Sequence, residues 1–307
     1  MIVTLTPNPS IDRTIAVDRL EQGEVNRATG VRIDPGGKGV NVARALHANG
    51  VDALAVLPLG GPDGTLLAAL LDACGLPYTA VPIAGDTRTN VAVVDPAGRT
   101  TKVNEPGPEL APAEVASLAA ALPSSADWVV LCGSLPLGAG PELFTDVIGS
   151  HPGRVVVDTS GPALAVAVAA RPHLVKPNRE ELEELVGRSL ATFGDVRVAC
   201  RDLVTDGLGV VVASLGADGA LITTPEGQWF ASAAVETPLS TVGAGDCLLA
   251  GVLSALAEGC HPADAVARGV AWGTAAVGLP GSQVPGPDDI AAVQVDRSMP
   301  DDATPLT

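Results

Sequence analysis

The sequence predicts a three-layer α/β/α fold with a mostly parallel central sheet and a small projecting β-sheet lid. Three observations lead there. Short β-branched runs alternate with segments of helical period along most of the chain, the pattern of a sheet covered by helices on both faces. Hydrophobic residues make up 47% of the chain and aromatics only 2%. An interior built from Val, Leu, Ile and Ala suits buried parallel strands under Ala-rich helices. Four further extended segments lack that composition, and two of them have no helix between them. The 307 residues can bury one large core, and no Ser/Gly/Pro-rich linker divides them, so a single domain over 1–307 is expected.

In chain order, core strands are expected at 2–6, 53–57, 128–131, 154–158, 174–176 and 209–214. Helices are expected at 39–49, 64–74, 112–122, 141–149, 162–170, 179–186 and 193–206, and three of these open on Pro112, Pro141 and Pro162, residues suited to a first helical position. The segments 90–94 and 99–103 flank Asp95-Pro96-Ala97-Gly98, a type I turn sequence, and so form a hairpin. With 11–17 and 30–33 they make the lid, drawn from about 11–34 and 87–104. Thr224-Pro225-Glu226-Gly227 marks a second, structural hairpin, and Ser240-Thr241-Val242-Gly243-Ala244-Gly245-Asp246 runs into an apolar helix. Beyond about Gly286 the chain turns polar and rich in Pro and Asp, and its last residues are expected to fray.

Composition excludes several functions. A formal charge of −17 opposes a nucleic-acid backbone or an anionic membrane surface as partner, and the scarcity of aromatics removes base-stacking platforms. The start of the chain lacks the basic and apolar regions of a signal peptide, which points to a cytoplasmic protein. Cys74, Cys132, Cys200, Cys247 and Cys260 are odd in number and scattered, so neither a disulfide framework nor a zinc site is expected, and each reads as a reduced, buried, small apolar residue. His47, His151, His173 and His261 show no ligand or triad spacing. Lys38, Lys102 and Lys176 are the only lysines, each beside Gly, Pro or Asn clusters, which points to function.

Several segments could carry chemistry, and each also has a structural reading. In Ser240 to Asp246, small residues leave backbone N–H groups uncovered at a helix mouth, a cradle for phosphate with Asp246 at its edge as a proton acceptor. The alternative is an ordinary helix start with a first-turn acid. In Asp34-Pro35-Gly36-Gly37-Lys38-Gly39-Val40-Asn41, glycines admit a ligand close to the backbone while Lys38 and Asn41 add a charge and a directional group. It is neither a Walker A loop nor a dinucleotide fingerprint; the alternative is a turn with an exposed lysine. Arg88 and Lys102, at the two ends of the lid hairpin, could hold a dianionic phosphate with Lys38, or be solvated surface charges. Asp12 follows the first strand, where an open α/β sheet places its crevice, and either accepts from sugar hydroxyls or caps a turn. Asn178 either caps the helix that follows it or, with Glu181, offers oxygens to Mg²⁺ waters and phosphates. The glycines of Ser214-Leu215-Gly216-Ala217-Asp218-Gly219 would let a nucleotide lie against backbone.

Taken together these segments resemble the PfkB (ribokinase-like) carbohydrate kinases over essentially the whole chain. The Gly36-Gly37-Lys38-Gly39-Val40-Asn41-Val42-Ala43 signature, with Gly50 and Gly60 after it, the Asn178-x-x-Glu181 motif and the Ser240 to Asp246 signature occur in the family's order. The resemblance implies that Asp246 is the catalytic base, kept ionised by the helix N-terminus, and that the N–H groups of Val242, Gly243, Ala244 and Gly245 form an anion hole. It implies a nucleotide side made of Lys176, Asn178, Ser214, Gly216, Gly219 and Thr241. The sugar-phosphate side would comprise Asp12, Gly37, Lys38, Asn41, Arg88, Lys102 and Ser134, with Mg²⁺ held through water by Asn178 and Glu181. Within the family, Lys38 and the segment 102–108 look most like the 1-phosphofructokinase subgroup, which implies ATP- and Mg²⁺-dependent phosphorylation of the 6-hydroxyl of fructose 1-phosphate and a homodimer paired through the lid. Tagatose-6-phosphate kinase, a PfkB-type 6-phosphofructokinase and a non-catalytic sugar-phosphate sensor are the alternatives. Ser240 stands where many sugar kinases carry Asp, which leaves a monovalent-ion site open.

Overall fold

The computed structural model describes residues 1–96, 99–235 and 237–307. Nine strands form the large sheet: β1 (Ile2–Leu5), β4 (Ala53–Leu59), β5 (Tyr78–Pro82), β8 (Trp128–Cys132), β9 (Arg154–Asp158), β10 (Leu174–Val175), β11 (Val210–Ser214), β12 (Ala220–Thr224) and β13 (Gly227–Ala231). Their order is β13-β12-β11-β10-β9-β8-β1-β4-β5. The seven strands from β11 to β5 run parallel, and β12 and β13 add an antiparallel hairpin at one edge. That hairpin turns at the expected Thr224 to Gly227.

A separate sheet of β2 (Ser10–Val17), β3 (Ala28–Gly36), β6 (Arg88–Val94) and β7 (Thr100–Asn104) is ordered β3-β2-β6-β7. These are the four segments expected to form a small sheet. β2, β3 and β6 are longer than their apolar content suggested because backbone pairing, which is blind to side chains, carries them. Ala97 and Gly98 of the expected turn lie outside the described residues.

Helices α1 (Lys38–Ala48), α2 (Gly61–Ala73), α3 (Pro112–Ala120), α4 (Glu142–Ser150), α5 (Gly161–Ala169), α6 (Arg179–Val186), α7 (Phe193–Thr205), α8 (Ala244–Ala257), α9 (Pro262–Val277) and α10 (Pro287–Ala291) complete the chain. Two large hydrophobic cores result, one on each face of the large sheet, and a smaller cluster of Val40, Ala43, Ala55, Leu57, Leu67 and Leu71 joins α1, β4 and α2. On one face α8 and α9 cover Ile2, Val130, Val156, Val212 and Ile222; on the other Val3, Leu5, Val129, Val157 and Val211 meet α4 to α7. The alternation of neighbouring residues between the two cores is the period-2 signature of strands buried on both sides. Among the described residues no helix is long and apolar enough to cross a membrane.

Two expectations need correction. The C-terminal segment does not fray. Phe193 and Gly194 N–H donate to Thr304 and Asp302 carbonyls, Leu306 N–H donates to Ala191 O, and Thr307 donates through its N–H and Oγ1 to the Asp218 carboxylate at 2.8 and 2.9 Å. Polar composition was compatible with a strap because the partners are backbone and charged groups of distant elements. Of the five cysteines only Cys132, Cys200 and Cys247 are buried; Cys74 is exposed and Cys260 half-buried.

Candidate active site

Parallel strands end at one edge of the large sheet, and the chemistry-bearing residues collect there, as the topology of an open α/β sheet requires. Cys132 ends β8 beside Gly133, Asp158 ends β9, Lys176 follows β10, and Ser214 ends β11. A parallel bridge sets Asn178 beside Ser214. Above this edge, a cleft of about 1220 Å³ opens between the α8 N-terminus and the small sheet. Asp12, Gly37, Lys38, Asn41, Arg88 and Lys102 line it, as do Lys176, Asn178, Glu181, Ser214, Gly216 and Gly219, and Thr241 through Asp246. Of the expected site residues Ser134 alone stands outside this lining; it is exposed, and its Oγ accepts a hydrogen bond from Asn8 Nδ2 at 3.2 Å.

Gly243 caps α8 with φ 78°, a left-handed conformation that a side chain would strain. Not every amide here is open: Val242 N–H donates to Ser240 Oγ at 3.2 Å, and Ala244 N–H makes a long contact with Thr241 O at 3.4 Å. The expected four-amide cradle is therefore narrower at its start. The N–H groups of Gly243, Gly245 and Asp246 find no protein acceptor among the described residues and stay available to an anion. A Cβ at Gly245 would stand 3.7 Å from Lys176 Nζ, so glycine keeps the path between cradle and lysine clear.

Asp246 is only 7% exposed, and its Oδ2 accepts from Asn41 Nδ2 at 2.9 Å. Burial and the nearby Asp158 carboxylate push its pKa up to about 6 against the pull of Lys38, Asn41 and Lys176. The helix N-terminus was expected to keep Asp246 ionised, and desolvation of the buried carboxylate works against it without reversing the charge. The group is still mainly ionised at neutral pH.

Asp158 is the residue that sequence reasoning missed. It is fully buried, with Lys38 Nζ 2.7 Å from Oδ1 and Lys176 Nζ 3.3 Å from Oδ2. Burial opposes its charge, but Lys176 and Lys38 together outweigh burial and hold it below the usual carboxylate range. Lys38 Nζ also lies 3.7 Å from Glu181 Oε1. Burial works against that ammonium, and Asp158, Asp246 and Glu181 overcome it and keep it charged. The only available signal was a carboxylate closing the apolar run Arg154-Val155-Val156-Val157-Asp158.

Asn178 and Glu181 meet their structural reading as a helix cap. Asn178 Oδ1 accepts from Glu181 N–H at 2.7 Å, and Glu181 Oε2 accepts from Asn178 N–H at 2.9 Å, a reciprocal capping box on α6. Glu181 Oε1 remains on the cleft side, toward Lys38.

On the small sheet, register pairs Asp12 with Asn90 and Asn90 with Asn104, and sets Thr14 and Lys102 on either side of Ala92. Directly opposed residues share a face, so these form a polar row toward the cleft. Asp12 Oδ1 accepts from Ser10 Oγ at 2.8 Å and Asn90 Nδ2 at 3.2 Å. Burial raises the Asp12 pKa, partly offset by those bonds and by Arg88. The Arg88 guanidinium donates to the carbonyls of Glu105 at 2.8 Å and Asn8 at 3.1 Å, fixing it at the base of the small sheet. Lys38 pairs with Asp158 and Glu181, beside Asp246 and the Asn178 wall, and lines the same cleft as Arg88 and Lys102.

Comparisons with known proteins agree with this geometry. Over 300 residues the chain is 39% identical to a 1-phosphofructokinase of Rhodobacter capsulatus, covering 95% of each. It is 36% identical over 299 residues to the ATP-dependent 6-phosphofructokinase isozyme 2 of Mycobacterium tuberculosis, covering 94% of this chain and 87% of that one. The crystal structure of phosphofructokinase-2 from Escherichia coli in complex with substrates and products superposes with a TM-score of 0.90 at 36% identity, covering 94% and 97% of the two chains. The family model described as pfkB family carbohydrate kinase matches residues 5–289. With both signatures converging on one cleft and this match across most of its length, the chain belongs to the pfkB family of carbohydrate kinases.

Proposed function

We propose that the protein transfers the γ-phosphoryl group of ATP to the 6-hydroxyl of fructose 1-phosphate, giving fructose 1,6-bisphosphate. The observation that carries this reading is the buried Asp246 beside open amides at the α8 N-terminus, facing a row of polar and cationic side chains on the small sheet across one cleft. Asp246 accepts the proton of the attacking hydroxyl. The Gly243 and Gly245 amides, with Lys38 and Lys176, offset charge on the phosphoryl in flight. Asp12, held by Asn90 Nδ2, accepts from sugar hydroxyls, and Arg88 and Lys102 hold the phosphate already present. Ser214, Gly216 and Gly219 form the wall on which the nucleotide lies.

Among the described residues no three His, Cys, Asp or Glu side chains gather as a metal cluster. The Glu181 Oε1 carboxylate oxygen on the cleft side fits Mg²⁺, which keeps several waters and binds through few carboxylates plus substrate phosphates. Glu181 Oε1, with Asn178 behind it, would hold those waters, and the ion would neutralise charge on the nucleotide phosphates.

The opposite face of the small sheet supports pairing with a second copy. Register places Ile15, Val31, Val91, Val93 and Val103 together on it, and Val31 and Val103 are 58% and 62% exposed. An apolar sheet face of this kind is suited to a homodimer.

The test is ATP consumption with fructose 1-phosphate, fructose 6-phosphate and tagatose 6-phosphate compared at equal concentration. Highest kcat/KM on fructose 1-phosphate supports the proposal. Preference for fructose 6-phosphate, the reading favoured by the 6-phosphofructokinase relative, would replace it.

A further inference from the structure

Behind the base lies a buried cation to which no step above gives a role. Arg44, on α1, is only 9% exposed, and among the described residues no carboxylate contacts it. Its Nη1 instead donates to three neutral oxygens: Ser282 O at 3.0 Å, Pro35 O at 3.1 Å and Asn41 Oδ1 at 3.3 Å. Its Nε is buried with no partner at all. Burying a guanidinium without an acid is costly, and an aliphatic side chain would fill the space more cheaply.

We infer that Arg44 is a positioning residue that sets the amide of Asn41 so that its N–H₂, and not its carbonyl, meets the base Asp246. The inference rests on the reading of Asp246 as base. Asn41 and Arg44 are three apart on α1 and therefore share a face. An amide offers one donating and one accepting end, whereas a guanidinium only donates and a carboxylate only accepts. With Arg44 on one side, Asn41 Oδ1 must turn toward it, which delivers Nδ2 to Asp246 Oδ2 at 2.9 Å. A flipped amide would set oxygen against oxygen at the base and nitrogen against nitrogen at Arg44. The same Nη1 ties this pair to Pro35, where β3 of the small sheet meets α1, and to the segment after α9 at Ser282. The base's hydrogen bond is thus referenced to both walls of the cleft.

The charged and titratable groups facing Asp246 are Asp158 from β9, Lys38 from α1, Lys176 after β10, and Cys247 beside it on α8. Those facing Arg44 are Asp34, Cys74, Cys247 and Asp12. A direct effect of the lost Arg44 charge on Asp246 would add to the Asn41→Ala shift in the double variant, whereas an effect passed through Asn41 would not.

The experiment compares pH–rate profiles of Arg44→Met, Asn41→Ala and the double variant, with thermal melts alongside. Loss of a hydrogen bond to the ionised base moves the acidic limb upward by about one pH unit. Arg44→Met and Asn41→Ala are each expected to show that shift, and the double variant is expected to show no more than Asn41→Ala alone. Should Arg44→Met fail to fold, Arg44→Lys, whose ammonium lacks the planar fork, is expected to shift the limb the same way by a smaller amount. A lowered melting temperature with an unmoved limb, or additive shifts in the double variant, overturns the inference. If Asp246→Asn retained full turnover, the reading of the base itself would fail, and that result is separable from either.

Discussion

Replacing Asp158 by Asn tests the electrostatics of the cleft most sharply, because two effects on Asp246 act in the same direction. Asp158 is the like charge that, after burial, does most to hold the Asp246 pKa at about 6. It also neutralises Lys38 and Lys176 at 2.7 and 3.3 Å. Asp158→Asn removes the repulsion, leaves Lys176 without its partner and leaves Lys38 with Glu181 alone, and each change favours ionised Asp246. An unperturbed Asp titrates near 3.9, so the base should fall by about one to two units. A base must be deprotonated to act; activity is lost as pH falls through its pKa, and a lower pKa therefore carries the acidic limb to lower pH. The same substitution strands Lys176, 4% exposed, without its partner. Breaking a buried pair this way costs about 3 to 5 kcal/mol, which at roughly 2 to 4 °C per kcal/mol lowers Tm by about 10 °C. The assay is kcat/KM against pH for both proteins with the same sugar phosphate, so that titration of the substrate is common to the two curves. An acidic limb that stays in place or moves up would refute the reasoning.

Other substitutions read other parts of the cleft. Lys102→Met removes a cation from the polar row of the small sheet and is expected to raise the sugar-phosphate KM about tenfold or more with kcat little changed, measured by initial rates. A Cβ at Gly36 would overlap the Asp12 carboxyl, so Gly36→Ala is expected to raise the KM for sugar phosphate while leaving that for ATP unaltered. Arg197 pairs with Asp302 on the C-terminal strap, and Arg197→Ala is expected to cost at most about 1 kcal/mol, with faster amide exchange over residues 301–307 as the direct readout.

The glycine-rich segments could be read from sequence because their conformation is local. Gly243 at φ 78° and the amides after it are fixed by a few neighbouring residues, and the alternation of 128–132 and 154–158 between two cores is a period-2 pattern in the chain itself. Tertiary effects were harder to see. Asp158 gains its role from two lysines that lie 120 and 18 residues away, and its own run reads simply as a strand ending in an acid. β5, with Tyr78 to Pro82 and a proline at its end, carries little apolar signal because it sits at the sheet edge. α9 is rich in Ala and Gly, whose small size lets it pack closely on α8, and Gly269 and Gly273 lower its helical propensity as read from sequence. The strap after Gly286 is held by backbone groups of α7 and by Asp218, partners that composition does not reveal. The raised pKa of Asp246 was not legible because the helix mouth is a local feature, whereas desolvation depends on everything packed above it.

The most direct measurement is single-turnover phosphoryl transfer to fructose 1-phosphate by Asp246→Asn, with sugar-phosphate affinity measured separately by calorimetry. Loss of the base predicts a rate lower by about 10² to 10⁴ with binding of the sugar phosphate retained. A variant that turned over at the wild-type rate would show that the proton leaves by another route and that the α8 carboxylate is not the catalytic base.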